Sequence, residues 1–540
     1  MLVHQLLKLA ASPGARRFRR DANRLEAVQR DKLSRLLTQV AASPRGQAMG
    51  VSRDWRWEDF ASRLPVTDYE DWAEDIVLAR EQGQGRLSAS SVVRYQPTSG
   101  STSAVKWIPY TRDFLSELDA AITPWIADLY RHCPRIGAGR HYWSMSWVPT
   151  DMRESMRNDI NDDLQLMSLG KRLLAGASQS VPQDVSLAPT SDDSLFATLA
   201  WLAADQGLSM LSVWSPTFGL GLLRALSRWR EPLAEVLSRG EWGAGALGAQ
   251  MHDCPRSPRA AALLRQWDGQ LEPAFFARLW PSLALVSAWD TAASAPWAAQ
   301  LHRLLPGAEF QGKGLWATEG VVTLPFEGRY PLAYHSHVYE FLDPTDERVY
   351  APWQLEKGQQ VMPLLTTGSG LLRYRLKDMV VVDDFMGQVP CLRFLGRAGT
   401  TDLVGEKLST PVVQQALDGL RLSPGLAPVS LVAVDDSGQG LPGYLLLLQG
   451  QREQDTRPVA EALDQGLQAH FHYQLARNLG QLAPVRAVVS PSMHEHYLSQ
   501  CRQRGMIEGN IKIEALQYWP GALPMALRDP DVATRRAGGM

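Results

Sequence analysis

The sequence predicts a large α/β domain that contains a β-rich subdomain and is followed by a small α+β domain. In the first part of the chain, short β-rich runs alternate with longer helical segments, an order that is typical of layered α/β folds. From Val338 to Phe394 the pattern changes to consecutive short strands, which predicts the β-rich subdomain. After Gly396, a helix, a strand pair, a second helix and a further strand predict the separate α+β domain.

The individual elements follow from the hydrophobic pattern. Leucines recur at helical spacing from Asp21 to Gln39 and predict an amphipathic helix that packs on the large domain. The strands predicted for the large domain are Ser91–Tyr95, Trp107–Tyr110, Leu208–Val213, Leu283–Ala288, Gly320–Leu324, Val338–Leu342, Val361–Thr366, Leu371–Leu376, Met379–Val382 and Cys391–Phe394. The small domain is predicted to contain helices Pro411–Leu420 and Val459–Leu479 and strands Val429–Val434, Gly443–Leu448 and Val485–Val489.

The composition is that of an ordinary globular protein of 540 residues, with 45% hydrophobic and 21% charged residues. The 55 Lys and Arg residues nearly balance the 57 Asp and Glu residues, which gives a net charge of −2. This balance provides no overall attraction to nucleic acid or to an anionic membrane, so we expect neither as a partner. The expected oligomeric state is a monomer or dimer.

The cysteines and the first residues indicate a cytoplasmic protein. The four cysteines form no CxxC pair, so they predict neither a zinc ribbon nor a redox motif. The apolar run after Met1 is too short for a signal peptide, and the basic cluster follows that run instead of preceding it. The most apolar stretch, Leu195–Leu226, is interrupted by polar and charged residues and lacks the ~20 consecutive apolar residues of a membrane span.

A hydroxyl-rich loop between two predicted strands is a candidate phosphate-binding loop. It consists of Thr98, Ser99, Gly100, Ser101, Thr102, Ser103, Ala104, Val105 and Lys106. Hydroxyl and backbone N–H groups can donate hydrogen bonds to phosphate oxygens, a glycine permits close approach, and Lys106 adds a positive charge. The GxxxxGK[ST] pattern is absent, so the segment is not a Walker A loop. A solvated Ser/Thr-rich loop is the alternative interpretation.

A second candidate nucleotide motif consists of Trp316, Ala317, Thr318 and Glu319, followed by Gly320. The tryptophan can stack on a purine, and the oxygen atoms of Thr318 and Glu319 are of the kind that Mg²⁺ prefers. Glu319 is therefore the candidate metal ligand. Taken alone, the segment also fits a simple turn after a strand.

Two further candidate motifs, with three candidate residues, lie later in the chain. The carboxylate of Asp378 can accept hydrogen bonds from both hydroxyls of a ribose, and Arg397 can reach a ribose or a phosphate. Lys512, on a loop of the last domain, can stabilise charge that develops on an α-phosphate. Each of these residues, taken singly, also fits an ordinary charged residue of a strand or surface.

In this order, the four motifs resemble those of acyl-adenylate-forming enzymes. More specifically, the sequence resembles a bacterial branch of the acyl acid amido synthetase family named after the auxin-responsive Gretchen Hagen genes of plants. Supporting stretches are Leu64–Asp71, Trp280–Leu283, Tyr339–Phe341 and Gly370–Arg375. The similarity runs from about Arg24 to Ile513.

The resemblance implies an acyl-adenylate-forming enzyme fold and an ATP-dependent ligase. An ATP- and acid-binding domain would occupy residues 1–396, and a mobile C-terminal domain would occupy 397–540, with a hinge at Gly396–Thr401. With ATP and Mg²⁺, the enzyme would adenylate a carboxylic acid and transfer its acyl group to an amine or amino acid. The implied catalytic residues are Lys512, Lys106 and Glu319. The implied nucleotide-binding residues are Thr98 to Ser103, Lys106, Trp316 to Glu319, Asp378 and Arg397, and the implied acid-binding residues are Trp147, Trp214, Thr217 and Phe218.

Three residues depart from the family pattern. Ser103 and Ala104 stand where glycine is usual in the loop, and Lys377 replaces the usual glycine before Asp378. Two alternatives therefore stay open beside the amido synthetase: an adenylating enzyme that transfers to coenzyme A or a carrier thiol, and a catalytically impaired protein that binds a nucleotide or an acid. The pair His335 and His337 could face one side of a strand, but no other ligand lies at metal-site spacing, so we expect no transition metal.

Overall fold

The computed structural model describes residues 2–519 except 83–85, 98–105, 146, 148–174, 244, 246, 249–250, 252, 398–399, 402, 405, 407, 436–440, 452–453, 504–505 and 507–510. The chain forms two compact units. The first unit contains most of the chain up to Phe394, and the second contains Lys377–Met379 and the chain from Leu395 onward.

The helices of the first unit mostly surround its sheets. They are α1 (Leu2–Arg20), α2 (Leu25–Ala41), α3 (Pro44–Ala48), α4 (Trp57–Arg63), α5 (Ala73–Gln82), α6 (Arg112–His132), α7 (Ser191–Ala204), α8 (Pro216–Arg228), α9 (Arg230–Arg239), α10 (Pro258–Gln266), α11 (Pro273–Leu279) and α12 (Ala295–Leu304). Helix α6 begins where the Thr111 hydroxyl accepts a hydrogen bond from the backbone N–H of Phe114, at 3.1 Å. None of the helices in the described ranges is long and apolar enough to cross a lipid bilayer.

A four-stranded parallel sheet lies in the first unit, in the order β3-β4-β5-β6. Its strands are β3 (Arg140–Trp143), β4 (Leu208–Ser212), β5 (Leu285–Ala288) and β6 (Glu309–Gly312). Every residue of β4 and β5 is buried, as expected for strands of a parallel sheet covered on both faces. Because the strands are parallel, their carboxyl ends meet at one edge, where ligands commonly bind in α/β folds.

The β-rich part of the first unit is a second, antiparallel sheet in the order β10-β9-β11-β13-β14, with β12 paired to β11. Its strands are β9 (Val338–Leu342), β10 (Val349–Tyr350), β11 (Gln360–Thr366), β12 (Tyr374–Arg375), β13 (Asp378–Met386) and β14 (Val389–Arg397). Two small hairpins complete the strands of this unit: β1 (Val92–Pro97) with β2 (Trp107–Thr111), and β7 (Trp316–Ala317) with β8 (Gly320–Val321).

The second unit has its own mixed sheet and its own core. Its strands are β15 (Thr400–Thr401), β16 (Leu408–Ser409), β17 (Ala427–Val434), β18 (Gly443–Gln449), β19 (Arg486–Ser490) and β20 (Leu516–Trp519), and its helices are α13 (Thr410–Asp418), α14 (Arg457–Leu467), α15 (Phe471–Asn478) and α16 (Met493–Gln503). The sheet order is β19-β18-β17-β20, with β17 and β18 antiparallel. Leu431, Leu446 and Leu463 belong to the buried core that joins this sheet to its helices.

Most predicted elements are present, but several predictions were wrong in extent. The strands predicted at Met379–Val382 and Cys391–Phe394 are the longer strands β13 and β14. The strand predicted at Leu371–Leu376 is reduced to β12, because Arg373 has a left-handed backbone with a φ of 48° and interrupts the extended chain. The helix predicted at Val459–Leu479 is two helices, α14 and α15. Asp464 of α14 accepts hydrogen bonds from Tyr473 and Arg477 of α15, which holds the two helices together. The strand predicted at Gly320–Leu324 is only β8, the second arm of a hairpin.

Candidate active-site residues

Lys106, the last residue of the predicted phosphate loop, directly precedes β2. Its ammonium Nζ lies 3.3 Å from Glu70 Oε1 and 5.0 Å from the centre of the Tyr69 ring. Glu70 is largely exposed, so this ion pair contributes at most about 1 kcal/mol and can be exchanged for another anion at little cost. The other predicted loop residues, Thr98, Ser99, Gly100, Ser101, Thr102 and Ser103, lie outside the described residues, as does Ala104.

The predicted motif at Trp316–Glu319 forms a tight hairpin. Strands β7 and β8 pair, which leaves Thr318 and Glu319 as the two turn residues. The hydroxyl of Tyr110 donates a hydrogen bond to the Thr318 carbonyl oxygen at 3.0 Å, and the Tyr374 hydroxyl donates to Glu319 Oε1 at 3.2 Å. Two tyrosines therefore hold the turn that presents Glu319.

Glu319 fits the role of metal ligand that was predicted for it. Mg²⁺ in nucleotide enzymes is usually bound through one or two carboxylates together with substrate phosphates and water. Within the described ranges, no three His, Cys, Asp or Glu residues are grouped as a complete protein metal site. A metal here would therefore depend on Glu319 and on the phosphates of a bound nucleotide.

A buried polar network lies behind the hairpin. The backbone N–H of Val321 donates to His337 Nε2 at 3.1 Å, and His337 Nδ1 lies 2.7 Å from Glu117 Oε2. Glu117 also accepts the backbone N–H of Gly368 at 2.9 Å and pairs with Lys32 at 3.2 Å. Burial lowers the pKa of His337, which favours the neutral ring that this pattern requires.

This network corrects the strand placement considered for His335 and His337. Both residues lie on the turn before β9 and not on a strand, and their rings have different surroundings. His337 is completely buried against Glu117, whereas His335 Nε2 lies 3.4 Å from Asp21. The pair does not form one polar face because the turn directs the two rings to different neighbours.

The structure brings three of the later candidates together in the second unit. Arg397 Nε lies 3.6 Å from Asp378 Oδ1, and Arg397 NH1 lies 3.5 Å from Glu514 Oε1. Asp378 is buried, and this burial raises the pKa of its carboxyl group, while the positive charges of Arg397 and Lys512 act in the opposite direction. Asp378, Arg397 and Lys512 thus form one charged cluster, although they are far apart in sequence.

The predicted acid-binding residues fall into two groups. Trp214 follows β4, and its ring centroid lies 5.7 Å from that of Trp289 and 5.8 Å from that of Trp316. Thr217 is buried in the first turn of α8, where Phe218 is partly exposed. Trp147 instead donates its indole N–H to the Ala188 carbonyl oxygen at 2.8 Å. Trp214 therefore lies beside the Trp316 hairpin, whereas Trp147 is hydrogen-bonded to Ala188.

Sequence reasoning missed Lys313, which lies directly after β6 and three residues before Trp316. Only 1% of its surface is exposed, and its Nζ donates a hydrogen bond to Ser212 Oγ at 2.7 Å. A lysine between two glycines was the available signal, and lysine is almost never fully buried unless it is paired. Tyr110 and Tyr374 were missed as well, because their hydroxyl contacts depend on residues far away in the chain.

Comparison with known proteins gives matches over most of the chain. Family models described as the GH3 family N-terminal domain and the GH3 family central domain match residues 14–310 and 330–397. A GH3 domain-containing protein of Homo sapiens is 30% identical over 319 residues, which is 54% of this chain and 58% of the human protein. The match therefore spans less than two thirds of that relative.

Solved structures agree with the fold class predicted from the sequence. The GH3.15 acyl acid amido synthetase matches with a TM-score of 0.75 at 17% identity, covering 95% of this chain and 93% of that chain. The same synthetase has also been solved in complex with 2,4-DB. A 2-hydroxyisobutyryl-CoA ligase in complex with 2-HIB-AMP matches with a TM-score of 0.50 at 13% identity, covering 96% and 92% of the two chains. At these identities the likeness concerns the fold, and the predicted acyl-adenylate-forming enzyme fold is confirmed. Because the N-terminal family match alone covers more than half of the chain, the protein belongs to the GH3 family.

Proposed function

We propose that the protein is an ATP-dependent acyl acid amido synthetase. It adenylates a carboxylic acid with release of pyrophosphate, then transfers the acyl group to an amine or amino acid with release of AMP. The observation that supports this most directly is the cluster of Asp378, Arg397 and Lys512, at the positions where the family has its nucleotide residues. Membership of the GH3 family and the Glu319 hairpin point the same way.

In the proposed adenylation step, a carboxylate oxygen of the acid attacks the α-phosphorus of ATP as the bond to pyrophosphate breaks. Lys106 and the hydroxyl-rich loop bind the β- and γ-phosphates, Asp378 accepts hydrogen bonds from the ribose hydroxyls, and Arg397 contacts ribose or phosphate. Glu319 would hold Mg²⁺, which when bound neutralises phosphate charge. Lys512 stabilises the negative charge that develops on the α-phosphate oxygens.

In the proposed transfer step, the amine nitrogen attacks the acyl carbon and the bond from that carbon to the AMP oxygen breaks. The amine loses a proton, and amide and AMP leave. The family resemblance implies that the C-terminal domain turns between the two steps. Lys512 would then serve adenylation and not transfer.

Acid-dependent exchange of labelled pyrophosphate into ATP tests the first step. The acid panel should include aromatic acids such as benzoate, phenylacetate and 2,4-DB and aliphatic acids such as hexanoate, because tryptophans line the predicted acid site. We expect exchange that requires both an acid and Mg²⁺. Amide and AMP formation is then measured by mass spectrometry with each of the common amino acids, and the same assay with coenzyme A detects a thioester.

The outcomes separate the proposed function from its two alternatives. Exchange together with an amide product supports the amido synthetase. Exchange with a coenzyme A thioester and no amide would instead support the thiol-transferring enzyme. ATP binding without exchange for any acid of the panel would support the catalytically impaired binding protein.

A further inference from the structure

Helix α1 packs on the first unit with one of its faces. The buried residues of this helix recur at helical spacing, and they are His4, Leu7, Ala11 and Phe18. The last three belong to the main hydrophobic core, and α1 packs against α6. This face is the apolar stripe by which a surface helix joins its core, so apolar residues on the opposite face require a different explanation.

Three leucines form a row on the opposite face of α1. Leu2, Leu6 and Leu9 are spaced four and three residues apart, which places them one above the other on a helix. Their exposed fractions are 69%, 42% and 68%. Single exposed leucines are common on protein surfaces, but apolar side chains grouped on one face indicate contact with another apolar phase. We call these three residues the leucine row.

The same face of α1 continues as a group of exposed arginines. Arg16, Arg17 and Arg20 follow Leu9 at the spacing that keeps them on its side of the helix. The side chains of Arg17 and Arg20 are 62% and 72% exposed, and Arg16 is exposed as well. We call these three residues the arginine cluster. In all, α1 contains five Lys and Arg residues and no Asp or Glu.

Two carboxylates contact the arginines of α1 without balancing their charge. Asp21 lies 3.5 Å from Arg17 and 2.9 Å from Arg20, but it is buried and shared between them. Glu327 pairs with Arg19. The prediction of no membrane partner rested on the net charge of −2, which averages over the whole chain. The charge of α1 is locally positive, and it is the local charge that acts on a nearby surface.

An anionic lipid bilayer matches both halves of this face. Leucine side chains gain free energy when they enter the boundary between headgroups and acyl chains. Basic side chains near the surface are attracted by anionic headgroups. A helix of 19 residues whose other face is packed on a folded unit would lie on the bilayer and not cross it.

A second copy of the chain matches this face less well. Two α1 helices paired side by side in parallel would place arginines against arginines. An antiparallel pair would bury the arginines of one copy against the leucines of the other, because α1 provides no carboxylate to receive them. A nucleic acid would match the arginine cluster and leave the leucine row in water.

We propose that the first unit docks on anionic lipid bilayers through the exposed face of α1. The leucine row enters the headgroup region, and the arginine cluster contacts the anionic headgroups. This inference does not depend on the proposed adenylating reaction, since no residue of α1 belongs to the proposed active site.

Co-sedimentation of the full chain with lipid vesicles tests the proposal. Vesicles of phosphatidylcholine with phosphatidylserine are compared with vesicles of phosphatidylcholine alone, each at low and high salt. We expect stronger binding to the anionic vesicles, and we expect this binding to weaken as salt screens the exposed charges.

Two double variants address the two halves of the face. Leu6→Gln with Leu9→Gln should weaken binding to anionic vesicles by at least about 10-fold, because these side chains no longer gain free energy in the bilayer. Arg16→Gln with Arg17→Gln should weaken it by roughly 10- to 30-fold and reduce its salt dependence. The unfolding midpoint of each variant is measured so that a misfolded protein is recognised.

Each double variant has a matched control. Leu475→Gln with Leu479→Gln changes two leucines of the second unit that have similar exposed fractions, 43% and 61%. Arg63→Gln with Arg239→Gln removes two exposed arginines that, like Arg17, have an acidic partner four residues away. Both controls should bind vesicles like the parent.

The outcomes decide between the occupants of this face. Weaker binding in both α1 variants and in neither control supports the proposal. A parent that does not bind anionic vesicles would overturn it, and so would a leucine variant that binds like the parent, which would indicate attraction by charge alone. A dimer that sedimentation velocity detects in the parent and not in the leucine variant, without vesicle binding, would assign the face to a second copy.

Discussion

Two charged residues that precede Asp378 in the chain adopt a left-handed backbone that L-amino acids generally avoid. Arg373 has a φ of 48° and Lys377 a φ of 62°. The buried guanidinium of Arg373 pairs with Glu340 and donates hydrogen bonds to the carbonyl oxygens of Ala61 and Leu64, which compensates its backbone conformation. Lys377 has an exposed side chain at the position where the family usually has glycine. Its φ explains that preference, because glycine adopts this conformation without strain.

Replacing Lys377 by glycine is predicted to stabilise the protein. A left-handed backbone costs a residue other than glycine roughly 1–2 kcal/mol of folding free energy. Glycine avoids this cost, but its unfolded chain is more flexible, which offsets part of the gain. We therefore expect the free energy of unfolding of Lys377→Gly to rise by about 0.5–1 kcal/mol in urea titrations. Lys357→Gly, at an exposed lysine without a positive φ, should give no such gain. Equal gains in both variants would show that backbone strain at Lys377 is not the cause.

Lys106→Ala is predicted to weaken ATP binding by about 10- to 100-fold, because a charge-assisted contact to phosphate is worth ~1.5–3 kcal/mol. Calorimetric titration with ATP measures the dissociation constant. Glu70→Gln is the matched control. It removes the surface partner of Lys106 and should neither weaken ATP binding nor change the free energy of unfolding by more than about 1 kcal/mol. Unchanged ATP affinity in Lys106→Ala would remove this residue from the proposed site.

At the scale of elements, short hairpins and helix contacts hold the proposed site in place. The β7–β8 hairpin is fixed on one side by the hydroxyls of Tyr110 and Tyr374 and on the other by the buried pair of His337 and Glu117. Burial by itself would raise the pKa of Glu117, but Lys32, His337 and the N–H of Gly368 lower it below its ordinary value. Glu117 therefore stays ionised and accepts hydrogen bonds from both sides.

The hairpin leads to a prediction about Mg²⁺. Glu319→Gln replaces a carboxylate ligand by a neutral amide, so half-maximal pyrophosphate exchange should require at least about 10-fold more Mg²⁺. Tyr374→Phe removes only the hydroxyl that holds Glu319 and should raise the requirement by roughly threefold or less. Titrating Mg²⁺ at saturating ATP measures both. If Glu319→Gln keeps the parent's Mg²⁺ dependence, Glu319 is not the metal ligand.

The contact between α1 and β3 predicts a loss of stability in acid. Burial lowers the pKa of His141, on β3, to about 3, and the ring lies beside His4 of α1. The unfolded chain binds a proton at this histidine below about pH 6.5, and the folded protein does not until about pH 3. The neutral His141 ring therefore contributes its full share to the free energy of unfolding above pH 6.5, and this contribution declines as the pH falls towards 3.

Urea unfolding at pH 6.5 and pH 4.5 measures this decline. Two pH units correspond to a loss of about 2–3 kcal/mol from His141. His141→Gln can still donate a hydrogen bond to the Ile136 carbonyl oxygen but does not titrate, so it should lose less stability than the parent over the same interval. An identical decline in parent and variant would contradict the role of His141.

At the scale of the whole molecule, the proposed residues are divided between the two units. Lys106 and Glu319 belong to the first unit, and Asp378, Arg397 and Lys512 belong to the second. If the units rearrange between the two steps, as the family resemblance implies, a given residue can act in one step and not in the other. Lys512 is the residue for which this expectation is most specific.

Lys512→Ala is predicted to slow acyl-adenylate formation by ~100-fold, since positive charge placed at a developing oxyanion is typically worth ~3 kcal/mol. A pre-made acyl-adenylate bypasses that step, and the variant should convert it to amide at close to the parent rate. Pyrophosphate exchange and amide release from synthetic adenylate measure the two rates separately. Arg457→Ala, an exposed change in the same unit, should affect neither. An equal loss in both assays would place Lys512 in structure or general binding instead.

The amino-acid sequence by itself determined the fold class, most strands and the order of the nucleotide motifs. Strand β9 was predicted with its observed bounds, Val338–Leu342, because a short apolar run is a local property of the chain. The start of β2 at Trp107 was also predicted, although the strand ends at Thr111 and not at Tyr110. The motifs at Trp316–Glu319 and near Asp378 could also be recognised, because each is a contiguous run of residues. They also occur in the same order as in acyl-adenylate-forming enzymes.

Only the tertiary structure decided which of these residues meet. Lys313, Ser212 and Trp143 come from three separate strands, and no local pattern announces that a parallel sheet places them at one edge. The clustering of Asp378 with Arg397 and Lys512 likewise depends on tertiary packing, because Lys512 lies far from the other two residues in the chain. At Lys377 the sequence offered only the departure from the family's usual glycine, because a positive φ is imposed by the surrounding turn and not by the lysine itself.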